Sequence, residues 1–156
     1  MARAAHDIEF DIRYGARYAL RQARFFSRLQ GAFTAINLLA GSAAFGGWLA
    51  RQPELAGAAG LVIAVLAVLD HVVRAGAHAA DARHAHGAFT ALLARLRCGE
   101  EATALEGALA DLQGQAGPEV ESLRIPAWND VLLEMGHQPD QLDALTLRQR
   151  LAGVVG

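Results

Sequence analysis

The chain has 156 residues, 53% of them hydrophobic and only 6% aromatic, with a formal net charge of −2. That length makes a single architectural unit the default, and the slightly acidic balance excludes a general nucleic-acid binder, which carries a strong basic excess. One cysteine, Cys98, excludes an intrachain disulfide.

Residues 7–30 carry a helical pattern. Arg13, Arg17, Arg21, Arg24 and Arg28 recur at spacings of four and three and form a basic stripe. Phe10, Tyr14, Tyr18 and Phe25 form an aromatic stripe about 100° away around the helix. Asp7, Glu9 and Asp11 stand at the start, where carboxylates oppose the positive end of the helix dipole. Residues 1–31 therefore read as an amphipathic cytosolic helix at the inner membrane surface, with its five stripe arginines toward anionic headgroups. The alternative is a packed helix whose arginines only set topology.

Two apolar runs follow, residues 33–50 and 56–73, of 18 residues each. The only charges between Gln30 and Asp70 are Arg51 and Glu54, in the break that separates the runs. A helix rises 1.5 Å per residue, so about 20 residues cross a hydrocarbon core of roughly 30 Å. Joined by RQPEL, with Pro53 to stop the first helix, the runs predict a transmembrane helical hairpin over residues 32–73. The competing reading is a soluble bundle. Against it, residues 55–69 include no hydroxyl, amide or charged side chain, whereas a bundle helix exposes a polar group every turn or two. A signal peptide fits poorly, because 32 residues, many of them charged, precede the first run.

Six arginines precede the first run, seven follow the second, and Arg51 lies between them. Positive charge close to the spans places both termini in the cytoplasm and the turn outside, with Trp48 near the outer end of the first span. The expected location is a bacterial inner membrane. Small residues four apart share helix faces: Ser42 with Gly46, Ala43 with Gly47, then Ala56, Gly60 and Ala64. They suggest close packing, within the hairpin or between subunits. Asn37 and Asp70 each lie about 16 residues from the turn and so at similar depth. An ionisable group in a span is a functional candidate. Asp70 could ring a pore mouth with Asn37 as its partner, or it could simply mark the interface.

Residues 74–97 lack proline, so the second span is predicted to continue without a break into a helix with Phe89, Leu92, Leu93 and Leu96 on one stripe, ended by Gly99. A helix over 100–113 places Leu105, Leu109 and Leu112 together and stops at Gly114. A short helix is expected from about Ala127 to Met135, ended by Gly136. Pro139 then opens a terminal helix with Leu142, Leu145 and Leu151. Residues 74–156 thus form a cytosolic helical region whose obvious partner is the N-terminal helix. His71, His78, His84 and His86 gather around Asp81, but their spacing matches no common zinc signature. No metal site, cofactor site or catalytic constellation is readable, and the chain reads as a non-enzyme. The fold class is all-α: a two-helix transmembrane hairpin with an N-terminal amphipathic helix and a C-terminal cytosolic helical region.

The order of features resembles the SLATT family, bacterial two-transmembrane effector domains of nucleotide-signalling conflict systems. The resemblance lies in DIRYGARYALRQARFFSRL, the short-turn hairpin with GSAAF in its first span, DHVVRAGAHAADARHAHGAF and the late WNDVLLEMG segment. It covers about residues 7–137. It implies a membrane effector that oligomerises and perturbs the inner membrane, as a pore, when a sensor signals infection. The implied partners are the lipid bilayer, further copies of the chain and a separate sensor or signalling protein, with no nucleic acid. Two other functions fit the same pattern: a non-conducting membrane anchor or scaffold, and a holin-like phage lysis protein.

Overall fold

The computed structural model describes residues 5–42, 46–47, 50–51, 53–115 and 117–155. Among them the protein is all-helical, with no strand. In chain order the elements are α1 (Ala5–Ala40), α2 (Pro53–Val73), α3 (Ala75–Arg97), α4 (Ala102–Gly114), α5 (Glu121–Glu134), a 3-10 turn (Pro139–Gln141) and α6 (Leu147–Val155).

The chain divides into two compact units. One comprises Met1–Phe25 with His78–Gly156, and the other is Phe26–Ala77. Helix α1 supplies residues to both. It runs without interruption across the boundary between residues 31 and 32 that the change in composition suggested.

In the first unit, the core comes from apolar residues at helical spacing. Ile8 and Ile12 of α1 meet Phe89 and Leu92 of α3 and Leu105 and Leu109 of α4. Leu93, Leu96 and Leu112 close around them. Ile8, Ile12, Leu105, Leu109, Leu123 and Val131 are the largest fully buried side chains. Each contributes roughly 1.5–3 kcal/mol relative to exposure. The stripes expected on 74–97 and 100–113 are thus the ones that face the core.

Two glycines end helices as the sequence suggests. Gly99 has φ +89°, with its N–H on the Leu96 carbonyl and the Glu100 N–H on the Arg95 carbonyl. Gly136 has φ +86°, with the matching bonds Gly136 to Leu133 and His137 to Leu132. Both are Schellman closures that need a left-handed residue.

Several boundaries differ from the sequence reading, the first being that α1 stops at Ala40, inside the 33–50 run that Pro53 is expected to close, with Gly41 in a turn. Helix α5 begins at Glu121, not near Ala127, and carries a buried Pro126 inside it. The terminal helix begins at Leu147 rather than at Pro139. The intervening chain is drawn out because Asn129, itself buried, donates to the Asp143 carbonyl (2.8 Å) and accepts from the Asp143 N–H (3.1 Å). Thr146 then caps α6: its hydroxyl accepts from the Gln149 N–H while the Gln149 side chain accepts from the Thr146 N–H. Finally, the helix over 53–97 is interrupted at Arg74, whose φ is +48°. That conformation costs a non-glycine residue roughly 1–2 kcal/mol.

In the second unit, the partly shielded positions of α2 are Ala56, Ala59, Ile63, Leu66, Asp70 and Val73. They alternate three and four apart and so trace one face. On α1, Phe26 and Phe33 are buried, and Ile36 and Ala40 are partly shielded. Where α2 ends, the Gly76 N–H donates to the Gln30 side-chain oxygen (3.0 Å).

Candidate functional site

The helical stretch Leu55–Arg97 is, among the described residues, the one long and apolar enough to cross a membrane. None of its most apolar window is buried. Leu61 is 68% exposed, Val62 57%, Val65 51%, Val68 62% and Val72 70%. Leu38 and Leu39 near the end of α1 are equally open. A helix satisfies its own backbone polar groups, so such a surface can sit in hydrocarbon at no cost in unmade hydrogen bonds. In water it would form a contiguous apolar patch of the kind that soluble monomers avoid.

The polar groups expected at membrane depth belong to this unit. Asn37 is exposed on α1 and Asp70 is partly shielded on α2. Among the described residues no hydrogen bond joins their side chains. Of the small residues, Ser42 and Ala56 are partly shielded, whereas Gly46, Gly47, Gly60 and Ala64 are exposed. A methyl added at Gly46, Gly47 or Gly60 would meet nothing within 4 Å. Among the described residues, no close helix contact requires these glycines. Ala43 and Trp48 lie outside the described residues.

The five stripe arginines divide into two groups. Arg13 bonds Glu9 one turn away (Nε–Oε1 2.9 Å). Arg17 forms an ion pair with Glu134. Arg21 places Nε 2.9 Å from Asp130 Oδ2 and Nη2 3.0 Å from Oδ1, and donates from Nη1 to the Gly153 carbonyl (3.2 Å). These three are partly shielded and engaged by the first unit itself, while Arg24 and Arg28 stand at more exposed positions and Arg28 has an interaction of its own. The sequence reading missed the carboxylates. The signal was present: Asp130 and Glu134 are four apart on α5, as Arg17 and Arg21 are on α1, so two ion pairs form where the helices meet.

The aromatic stripe has a partner too. Trp128 meets Phe10 edge-on with ring centroids 4.5 Å apart, and Tyr14 at 5.8 Å. Tyr18 accepts from the Val120 N–H (2.8 Å) and donates to the same residue's carbonyl (3.4 Å). Burial pushes the Tyr18 phenol above its ordinary range, more than the Val120 hydrogen bond lowers it. At the end of α3, Arg95 bonds Glu100, which raises the guanidinium and lowers the carboxyl from their usual values.

Comparison with protein-family models, with curated proteins and with solved structures gives no match.

Proposed function

We propose that this chain is a small protein of the bacterial inner membrane. Its two apolar segments form a transmembrane hairpin with both termini cytoplasmic, and copies of it assemble to permeabilise the bilayer. The observation that carries the membrane part is the wholly unburied apolar surface of α2. Supporting the hairpin is the single shielded face among the described side chains of α2, which leaves the rest of that helix's surface for lipid or for another copy. The glycines favour the second use in part. Gly46, Gly47 and Gly60 have open space in front of them, which lets the backbone of a second copy approach closely.

The effector role in anti-phage defence rests on the SLATT-like plan of the sequence. On this reading the first unit receives the signal of a separate sensor, and the spans deliver the effect. The alternative is a non-conducting anchor, for which the coherent helical unit alone would suffice.

The test is membrane potential, followed with a voltage-sensitive dye in bacteria induced to express the chain, with fractionation of the same cells. Membrane localisation with depolarisation, abolished by Gly60→Leu at equal abundance, is the expected result. Membrane localisation without depolarisation selects the anchor. A chain recovered in the soluble fraction sinks both.

A further inference from the structure

Away from the apolar helix, the first unit contains a cleft of about 200 Å³ whose walls are unusually rich in positive charge. Arg13 and Arg17 line it from α1, His86 and Arg97 from α3, and Glu134 from α5. Leu93 forms part of an apolar wall. Two carboxylates answer these three guanidiniums, Glu9 on Arg13 and Glu134 on Arg17. Arg97 is exposed and has no partner among the described residues. The cleft therefore keeps an unbalanced cation at its rim.

His86 adds a directed group. Its Nδ1 lies 2.9 Å from the Ala16 carbonyl. A carbonyl only accepts, so Nδ1 carries the proton and Nε2 is left as the ring's second site. Thr90 also lines the cleft, but its hydroxyl already donates to the His86 carbonyl (2.8 Å).

We infer that this cleft binds a phosphate group. Guanidinium forks match phosphate oxygens in geometry and charge, and the volume admits a phosphate with a small substituent against Leu93. Arg97 would supply the uncommitted fork. Arg17 would be shared between the phosphate and Glu134, so the bound anion competes with that carboxylate. The phosphate could belong to a soluble ligand or to a lipid headgroup, and the same chemistry serves both. This inference stands apart from the membrane reading, since every lining residue belongs to the first unit.

The experiment is a calorimetric titration of the full chain in non-ionic detergent with inorganic pyrophosphate, at low ionic strength. Saturable binding is expected. Arg97→Glu, at a side chain with no partner among the described residues, weakens it about tenfold or more, because a charge-assisted donor becomes a like charge. Glu134→Gln removes the competing carboxylate and tightens binding several-fold, while Arg148→Glu, at an exposed position on α6, leaves it unchanged. Circular dichroism keeps the variants comparable. Displacement of pyrophosphate by glycerol phosphate assigns a soluble ligand, and displacement only by phosphatidic acid in mixed micelles assigns a headgroup. The inference is overturned by absent or non-saturable binding, by an equal response to chloride at matched ionic strength, by wild-type affinity in Arg97→Glu, or by a Glu134→Gln chain that binds no better.

Discussion

Arg21 and Asp130, 109 positions apart in the chain, meet in a two-point fork of 2.9 and 3.0 Å. The same guanidinium reaches the Gly153 carbonyl, so one side chain of α1 ties both α5 and α6. The pair is half-buried, which places it above the exposed ion pairs whose contribution is small. Arg21→Ala is expected to cost about 1–3 kcal/mol. It should also speed amide exchange in α6. Arg21→Lys keeps the charge but loses the fork, so it recovers only part of the stability. Denaturant titration of the intact chain measures the first effect and hydrogen exchange the second. An Arg21→Ala chain with unchanged α6 exchange would mean that the Gly153 bond holds nothing.

Gly15 offers a contest between two effects of similar size. Alanine there would gain up to about 1 kcal/mol in helix propensity. Yet its Cβ would stand 2.5 Å from the Phe89 ring. Overpacking of this kind costs about 1–3 kcal/mol, and Phe89 is itself buried in the core, so the clash should win. Gly15→Ala is expected to destabilise the chain, and Phe89→Leu in the same chain should be less harmful than it is alone. A double-mutant cycle reads that coupling directly. Strictly additive effects would show that α1 and α3 separate easily at this point.

Tyr18 makes stability depend on pH at the alkaline end. Its phenol is raised in the folded state by burial, so the folded chain holds that proton more tightly than the unfolded chain does. The stabilisation is fully present below the unfolded value near 10 and is lost as pH rises through the folded value. The unfolding midpoint should therefore fall more steeply above pH 10 in wild type than in Tyr18→Phe. At neutral pH the variant should lose about 1 kcal/mol, because the Val120 N–H loses its acceptor. Parallel pH profiles for the two chains would remove Tyr18 as their source.

Val65 tests the apolar helix. It is 51% exposed and near the middle of the apolar run. An arginine at the centre of an inserted helix costs about 2.5–3.5 kcal/mol. Val65→Arg should shift the chain out of the carbonate-resistant membrane fraction, whereas Val65→Leu should not. Equal membrane retention of both variants would argue that α2 is not the inserted segment.

Much of the helical order was legible residue by residue. Gly99 and Gly136 mark helix ends because a left-handed turn is a local demand that glycine meets at low cost. Leu105 and Leu109 were identifiable as core because spacing alone puts them on one face. Less was legible where a local signal had a distant competitor. Pro139 looked like the opening of a helix, but the side chain of Asn129 holds Asp143 extended and delays α6 to Leu147. The absence of proline over residues 74–97 suggested one unbroken helix, but Arg74 turns left-handed within it. The arginine stripe of α1 suggested headgroups, yet Arg17 and Arg21 are met by Glu134 and Asp130.

By itself, then, the sequence determined the all-helical class, the helix ends at Gly99 and Gly136, and one of its two expected apolar spans, the one in α2. Periodicity, backbone freedom and hydropathy are properties of neighbouring residues. Only the tertiary structure decided which charges are answered inside the molecule and which, like Arg97, are left open. An ion pair depends on distance in space, and no local pattern brings residue 21 to residue 130.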